Sequence, residues 1–380
     1  MPHNLKVLSI IGTRPEAVKM APVVQALSQT DDIAAAVCVT AQHRQMLDQV
    51  LEVFDIKPDF DLNLMRPNQS LAQITADVFT ALEPVLEQVQ PDWLLVQGDT
   101  TTVMVSALMG YYHRIKVGHV EAGLRTHNKW QPFPEEINRR IAGVTADLHF
   151  APTELSRQNL LAEGIDDWRI KVTGNPVVDA LQQIIARPSP LGAKHLLMQM
   201  GIADQSKQLV LVTAHRRENF GKPLEDICLA IRQLAEEYAG EMHILYPVHL
   251  NPNVQEPVYR LLRDVPNITL TDPLDYLPLV HIMKHADMIL TDSGGIQEEA
   301  AALKIPTLVL REVTERPEGL QTGVLKLVGT NPERIIQAAR VLFNKPAAHE
   351  KIQNLQNPFG DGFAAKRIVE AVLNFQEIKQ

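Results

Sequence analysis

Short runs of Val, Ile and Leu alternate with longer amphipathic stretches along almost the whole chain. Such apolar runs, bounded by polar clusters, are typical of buried parallel strands, and the amphipathic stretches between them are typical of crossover helices. The predicted strands of the first half are Lys6–Ile11, Ala35–Thr40, Trp93–Gln97, Lys116–Val120, Leu148–Ala151 and Ile170–Val172. Those of the second half are Leu209–Thr213, His243–Pro247, Ile268–Leu270, Met288–Leu290 and Thr307–Leu310.

The alternation predicts an α/β protein with two Rossmann-like, doubly wound parallel sheets. At 380 residues the chain exceeds the roughly 100–200 residues of one domain, and the proline-rich segment 186–192 interrupts it. We therefore expect an N-terminal domain at 1–186, a C-terminal domain at 187–363, and a helix within 364–380 that packs back on the first domain. Because ligands of open α/β sheets bind beyond the carboxyl ends of the strands, two facing domains would enclose a central cleft.

The composition of the chain argues against several classes of binding partner. Acidic residues number 45 against 36 basic ones, and no basic run stands out, so neither nucleic acid nor an anionic membrane is an expected partner. The first apolar run is too short for a signal peptide or a membrane span. Cys38 and Cys228 lie in apolar stretches without a CxxC spacing, which favours reduced thiols in a cytoplasmic protein. No histidine spacing fits a metal site, so we expect no catalytic metal and no cofactor.

The segment Thr291-Asp292-Ser293-Gly294-Gly295 follows an apolar run and leads into a predicted helix. A helix start leaves backbone N–H groups unpaired and carries partial positive charge, and glycine lets another molecule approach closely. This pattern predicts a diphosphate site at Ser293, Gly294 and Gly295, with Glu299 one turn later accepting hydrogen bonds from sugar hydroxyls. The alternative is a glycine-rich turn that binds nothing.

Two cations follow the first predicted strand. Arg14 leaves the strand and Lys19 falls about one turn into a helix that Pro15 helps to start. Both side chains could reach the same anion, and the alternative is that both are solvated surface charges.

Three carboxylates follow strands or begin helices in the same half of the chain. Asp99 and Glu121 come after neighbouring predicted strands, and Glu135 begins a predicted helix. Three carboxylates around one cleft allow proton removal and delivery, and mutual repulsion would raise the pKa of at least one of them. The alternatives are that Asp99 is only a helix N-cap and that Glu135 only stabilises a helix start.

In the second half, His215 follows a strand and is itself followed by Arg216 and Arg217, a group suited to a diphosphate or to charge on a leaving group. Arg316 adds a further cation on that side. His249 also ends a strand, where a buried, hydrogen-bonded structural histidine is an equally good interpretation.

Nine short motifs are spread over nearly the whole chain. They are Gly12-Thr13-Arg14-Pro15-Glu16, Gln42-His43-Arg44, Gly98-Asp99-Thr100-Thr101-Thr102, His119-Val120-Glu121-Ala122-Gly123-Leu124-Arg125, Pro134-Glu135-Glu136-Ile137-Asn138-Arg139, Thr213-Ala214-His215-Arg216-Arg217-Glu218-Asn219, Pro247-Val248-His249-Leu250-Asn251-Pro252, Ser293-Gly294-Gly295-Ile296-Gln297-Glu298-Glu299 and Thr314-Glu315-Arg316-Pro317-Glu318-Gly319. Together they resemble the non-hydrolysing UDP-N-acetylglucosamine 2-epimerases, whose two-domain fold is that of the GT-B glycosyltransferases. Pro176 departs from the family, which more often has threonine there, but it does not touch the proposed chemistry.

The resemblance implies interconversion of UDP-GlcNAc and UDP-ManNAc through elimination of UDP to a 2-acetamidoglucal and re-addition, which supplies ManNAc-type sugars for cell-envelope polysaccharide. It implies that Asp99, Glu121 and Glu135 handle protons. The groups implied to hold UDP are Arg14, His215, the Ser293-Gly294-Gly295 helix start and Arg316, with Lys19 stabilising the pyrophosphate or orienting a carboxylate.

The resemblance further implies a homodimer and a second, activating UDP-GlcNAc site at Gln42, Gln45, Arg216 and His249. Four alternatives stay open at this point. They are a 2-epimerase of a related UDP-diacetamido sugar, a hydrolysing epimerase that releases ManNAc, a GT-B glycosyltransferase with a separate acceptor, and a UDP-sugar-binding regulator without turnover.

Overall fold

The computed structural model describes residues 4–40, 44–64, 66, 69–344 and 352–376, without the side chains of 44–46. The chain divides into two compact units. The N-terminal unit comprises 1–182 together with 359–380, and the C-terminal unit comprises 183–358.

The N-terminal unit is built on a parallel sheet that, among the described residues, has seven strands in the order β3-β2-β1-β4-β5-β6-β7. The strands are β1 Leu5–Ile11, β2 Ile33–Val39, β3 Phe60–Asp61, β4 Trp93–Gln97, β5 Lys116–Val120, β6 Leu148–Ala151 and β7 Ile170–Val172. The helices are α1 Arg14–Ser28, α2 Arg44–Val53, α3 Leu71–Val89, α4 Thr101–Tyr112, α5 Glu135–Thr145, α6 Glu154–Ala162 and α7 Pro176–Ile185.

The C-terminal unit repeats this plan with a parallel sheet of six strands within the described range, in the order β10-β9-β8-β11-β12-β13. The strands are β8 Gln208–Thr213, β9 Met242–Pro247, β10 Ile268–Thr271, β11 Met288–Thr291, β12 Thr307–Val309 and β13 Leu325–Leu327. The helices are α8 Leu191–Gln199, α9 Lys222–Glu237, α10 Pro252–Leu262, α11 Tyr276–Met283, α12 Gly294–Ala302, α13 Pro317–Thr322 and α14 Pro332–Phe343, and α15 Ala364–Leu373 then returns to the N-terminal unit.

The predicted fold class, two doubly wound parallel sheets, is confirmed. Every predicted strand is present, with ends that differ by at most two residues. The prediction missed β3 and β13, which have two and three residues. Runs this short carry no periodicity that separates a strand from a loop.

Helices cover both faces of each sheet, which explains why the strands read as continuous apolar runs. On β8, Val210 and Val212 pack in the cluster that includes residues of α9, α10 and α14. Leu209 and Leu211, which alternate with them, pack on the opposite face with residues of α8, α11 and α12. Each fully buried side chain of this size contributes roughly 1.5–3 kcal/mol to folding.

The C-terminal segment is held on the N-terminal unit by hydrogen bonds and an aromatic contact. Asp179 in α7 accepts hydrogen bonds from the backbone of Ala364 (3.2 Å) and Ala365 (2.9 Å) and so caps α15. The ring of Phe375 meets the ring of Trp93 edge-on at 5.0 Å.

None of the helices in the described part of the chain has the length and apolarity needed to cross a bilayer.

Candidate functional site

The N-terminal unit buries the carboxylate of Glu121 at the end of β5. Glu121 adopts a left-handed backbone conformation (φ 63°), which turns the chain sharply at the strand end. Its Oε1 accepts hydrogen bonds from the ammonium group of Lys19 and from the Asn175 amide, the latter at 2.9 Å. Its Oε2 accepts a hydrogen bond from the Gln97 amide. One cation and two amides from β4, α1 and the start of α7 therefore hold this carboxylate.

The neighbouring strand end is shaped by Gly98 and His119. Gly98 has φ 84°, and a Cβ added there would lie 3.5 Å from Oε2 of Glu121. Nε2 of His119 lies 2.7 Å from the Gly98 carbonyl oxygen, and burial lowers the pKa of His119 to about 4. The imidazole is therefore neutral near pH 7 and donates its Nε2–H to this carbonyl.

Asp99 follows Gly98 and is fastened by α5. Arg139 donates a hydrogen bond to its carboxylate, and the Asn138 amide donates to its backbone carbonyl at 2.9 Å. The N-cap of α4 is Thr100, whose hydroxyl accepts from the backbone of Val103 at 3.3 Å. The alternative that Asp99 caps this helix is therefore wrong. Its side chain keeps 28% exposure and is paired with a buried arginine.

A raised pKa occurs at Glu16, which is not one of the three carboxylates for which the sequence predicted it. Its side chain accepts hydrogen bonds from the backbone of Gly12 and Thr13 and closes the capping box of α1. Burial raises the pKa of Glu16 to about 7, with a smaller contribution from the charge of Asp99, while its hydrogen bonds act in the opposite direction. Burial in the first turn of a helix, more than repulsion between carboxylates, is thus the physical cause.

Glu135 begins α5, as predicted, and is half-buried. Its neighbour Glu136 is fully buried and accepts hydrogen bonds from the backbone of Thr126 (3.1 Å) and His127 (3.2 Å). Glu136 therefore orders the loop before the helix. Because residues one turn later in α5 contact Asp99, the first turn of this helix lies beside the end of β4.

The two predicted cations Arg14 and Lys19 both lie in α1 but differ in burial. Lys19 is 5% exposed and paired with Glu121, so the alternative of a solvated surface charge is wrong for this residue. Arg14 is the first residue of α1 and is half-buried.

In the C-terminal unit, the buried carboxylate of Asp292 holds the loop that carries His215. The backbone N–H of His215 donates to both carboxylate oxygens (3.1 and 2.9 Å), and that of Arg216 donates to Oδ2 (2.8 Å). The Asn219 amide adds a hydrogen bond of 3.0 Å. Thr213 and Thr291, at the ends of β8 and β11, join their hydroxyls at 2.7 Å.

The predicted diphosphate site lies at the start of α12, with Ser293 as its N-cap residue. A Cβ at Gly294 would lie 2.7 Å from Nη1 of Arg316, whereas one at Gly295 would meet no protein atom within 4 Å. The absence of a side chain therefore has a different consequence at each of the two glycines. Gly294 leaves room for the Arg316 guanidinium, and Gly295 leaves open space at the helix start.

Arg316 is held against this helix start by two carboxylates. Its Nε donates to Glu298 at 2.6 Å, and its Nη1 lies 2.8 Å from Glu315. Glu315 also accepts from Arg311 at 3.0 Å. A helix start and a guanidinium are both electropositive, so their convergence is the arrangement that the predicted anion site requires.

The remaining residues predicted to bind a ligand differ in how far they are buried. Glu299 is buried in α12, and Arg216 is half-buried. His249 is exposed, so its interpretation as a buried histidine is wrong, and its ring stacks on that of His215 with centroids 5.2 Å apart and planes at 14°. Gln42 lies outside the described residues, as does the side chain of Gln45.

Sequence reasoning did not assign several residues that build these sites. Asp292 could have been assigned from the sequence, because it closely follows a predicted strand, as Asp99 does. Arg139 stands four residues after Glu135 and so shares its helix face. Asn175 carried no signal, because 54 residues separate it from Glu121. Among the described residues, no group of three or more His, Cys, Asp or Glu side chains could hold a metal ion.

Comparison with known proteins gives consistent matches over nearly the full length. The family model described as UDP-N-acetylglucosamine 2-epimerase matches residues 25–373. A UDP-N-acetylglucosamine 2-epimerase of Yersinia pestis is 52% identical over 98% of this chain and 99% of its own length. That of Escherichia coli strain K12 is 50% identical over 97% of this chain and 99% of its own length. The crystal structure of UDP-GlcNAc 2-epimerase from Neisseria meningitidis bound to UDP-GlcNAc superimposes with a TM-score of 0.91 at 48% identity, covering 98% of this chain and all of that one.

Proposed function

The chain belongs to the UDP-N-acetylglucosamine 2-epimerase family, and we propose from this premise that it interconverts UDP-GlcNAc and UDP-ManNAc by inverting C2 of the sugar. In the proposed reaction the epimerase is non-hydrolysing, since UDP stays bound and adds back to the sugar.

The chemistry explains why carboxylates and an anion site are both needed. C2 has no adjacent carbonyl, so its proton is hardly acidic and simple removal and return is implausible. In the proposed reaction, a carboxylate takes the C2 proton while the C1–O bond to UDP breaks and its electron pair leaves with UDP. The products of this half are 2-acetamidoglucal and UDP. In the second half, C2 is protonated from the other face and UDP attacks C1.

The N-terminal unit supplies the groups that exchange protons. We assign proton transfer to Asp99, Glu121 and Glu135. Arg139 pairs with Asp99, and Lys19 pairs with Glu121. In this assignment Lys19 orients Glu121.

The C-terminal unit supplies most of the groups that stabilise charge on UDP. We assign the diphosphate to the Ser293-Gly294-Gly295 helix start, to Arg316 and to His215, with Arg14 from the N-terminal unit. Glu299 lies one turn into α12 and accepts hydrogen bonds from sugar hydroxyls. The open space at Gly295 is the feature of this helix start that favours close approach of a phosphate.

The observation that carries the proposal is the burial of Glu121 between Lys19, Gln97 and Asn175, together with the family match over residues 25–373. The test is proton NMR of the purified protein with UDP-GlcNAc in D₂O. A mixture of UDP-GlcNAc and UDP-ManNAc with deuterium at C2 is expected. Free ManNAc with UDP would indicate hydrolysis instead, and unchanged substrate would contradict the proposal.

We extend the proposal to a second, activating UDP-GlcNAc site that includes Arg216, His249, Gln42 and Gln45. Exposure of His249 and its stacking on His215 support a role for this imidazole next to the diphosphate site. Pure UDP-ManNAc should then react slowly until a trace of UDP-GlcNAc is added, and His249→Ala should remove this acceleration. Equal rates with and without UDP-GlcNAc would contradict the second site.

We also propose a homodimer in the cytoplasm. Tyr111 and Tyr112 at the end of α4 are 65% and 64% exposed, and Val144 on the adjacent α5 is 79% exposed. Such an apolar surface fits association of two copies. Both cysteines are free and buried, which agrees with a reducing compartment. Light scattering should give a dimer mass that Tyr112→Glu lowers, and a monomeric wild type would contradict this assembly.

A further inference from the structure

We infer that Asp292 is a positioning residue that holds the backbone of His215 and Arg216 at a fixed position relative to the start of α12. Its carboxylate is the point where the loop after β8 and the helix after β11 are joined. This inference rests on the proposed binding of UDP by His215 and by the Ser293-Gly294-Gly295 segment.

The geometry is that of a single buried acceptor facing several donors. Asp292 is 0% exposed. Two consecutive backbone N–H groups, those of His215 and Arg216, donate to it, and the Asn219 side chain donates from the other end of the same loop. The Asn219 amide also donates to the carbonyl of Leu310 at 3.2 Å, so the loop is also held by the residue that follows β12.

A carboxylate suits this position better than an amide would. Both oxygens of Asp292 accept hydrogen bonds, and Oδ2 alone accepts from the backbone of His215 and Arg216 and from Asn219. In asparagine one of the two oxygens would become an NH₂ group, which cannot accept, so N–H donors would face a donor or turn away. The isosteric change Asp292→Asn therefore alters the hydrogen bonds without changing the volume of the site.

The consequence for function follows from the chain connection. Asp292 immediately precedes Ser293, the N-cap residue of α12, so movement of its carboxylate is transmitted both to the helix start and to the loop. Oδ1 of Asp292 lies 3.9 Å from Nδ1 of His215, whose ring stacks on His249. Asp292 thus sets the distance between the imidazole and the backbone N–H groups that are proposed to receive the diphosphate.

The test compares Asp292→Asn with a matched buried variant in the same unit, Asn267→Ala. Asn267 is 5% exposed and donates to the carbonyls of Ala235 (2.9 Å) and Met242 (3.1 Å). Its loss should destabilise the unit without reaching the His215 loop. The measurements are thermal unfolding, UDP affinity by calorimetry, kcat and KM for C2 exchange, and the imidazole signals in carbon–proton NMR spectra of the 13C-labelled protein. Variants of His215 and His249 provide the assignments of these signals.

We expect Asp292→Asn to lower kcat/KM by about 10- to 100-fold and to shift the signals of His215 and His249, as loss of hydrogen bonds to a charged acceptor predicts. Asn267→Ala should lower the melting temperature but leave the kinetic constants and these signals unchanged. Wild-type kinetics and unshifted signals in folded Asp292→Asn would overturn the inference, and so would equal kinetic losses in Asn267→Ala.

A milder variant keeps the test decisive if Asp292→Asn does not fold. Asn219→Ala removes one donor to Asp292 and the link to Leu310, and it should lower kcat/KM by a smaller factor with the same two signals shifted. If it behaved like the wild type, the inference would fail. Failure of the proposed function is seen separately, as a wild-type protein that shows no C2 exchange and binds no UDP.

Discussion

The ammonium group of Lys19 and Oε1 of Glu121 form an ion pair whose side chains are only 7% and 5% exposed. Loss of one partner would leave an uncompensated charge in the interior of the N-terminal unit. Lys19→Met should therefore lower the free energy of unfolding by about 3–5 kcal/mol, measured by denaturant titration. Turnover should fall as well, because Glu121 loses the group that orients it.

The double variant Lys19→Met, Glu121→Gln separates these two effects. Removing both charges should restore much of the lost stability, since no unpaired charge remains, while C2 exchange stays low. A single variant as stable as the wild type, or a double variant with restored exchange, would contradict the role assigned to the pair.

Asp99→Asn and Glu121→Gln should each lower kcat for C2 exchange by on the order of 10²–10⁴, because each removes a group proposed to transfer a proton. UDP affinity measured by calorimetry should change little, since UDP contacts are assigned to other residues. Asp226→Asn, which alters a carboxylate in a surface pair with Lys222, provides the control and should keep wild-type kinetics. Wild-type rates in both Asp99→Asn and Glu121→Gln would remove the assignment.

Acid should destabilise the N-terminal unit through two buried histidines. Burial lowers the pKa of His119 from 6.5 to about 4 and that of His149 from 6.5 to about 3. Below about pH 6.5 the unfolded chain binds protons that the folded chain does not. Their stabilising contribution is therefore present above pH 6.5 and is lost as the pH falls through these lower values.

Glu16 acts in the opposite direction, because its pKa is raised from 4.5 to about 7 and its stabilising contribution is lost as the pH rises through 7. The stability of the wild type alone therefore does not isolate the histidines.

The measurement is the difference in unfolding free energy between the wild type and His149→Gln, followed from pH 7 to pH 4. This difference should move in favour of the variant as the pH falls. A pH-independent difference for His149→Gln would contradict the prediction.

The two glycines of α12 should respond differently to alanine. Gly294→Ala places a Cβ 2.7 Å from Nη1 of Arg316, so the guanidinium must shift and UDP affinity should fall about tenfold. Gly295→Ala meets no protein atom within 4 Å, so the unfolding free energy should not fall, yet UDP binding should weaken because the methyl group enters the proposed phosphate space.

Gly240→Ala is the control for the second substitution, since its Cβ also meets no atom within 4 Å and lies away from α12. Calorimetric titration with UDP should show unchanged affinity in this variant. Full UDP affinity in Gly295→Ala would argue that the diphosphate does not approach the helix start.

The alternation of apolar runs and amphipathic stretches determined the fold class and most strand positions. Strands covered by helices on both faces must be apolar along their length, so this information is local and is carried by the sequence. For the same reason Asp99, Glu121, His215 and Ser293 were found as strand-end residues. Strands as short as β3 and β13 are stabilised only by their neighbours in the sheet and have no local signature.

The tertiary structure decided which side chains meet. Lys19 and Glu121 are 102 residues apart, and their pairing, like that of Arg139 with Asp99, arises only when α1, α5 and the strand ends are packed. Desolvation is likewise a property of the packed interior, so the raised pKa of Glu16 and the lowered pKa values of His119 and His149 depend on burial that no sequence pattern records. Local periodicity specified the elements, and long-range packing specified the electrostatic environment of the residues at their ends.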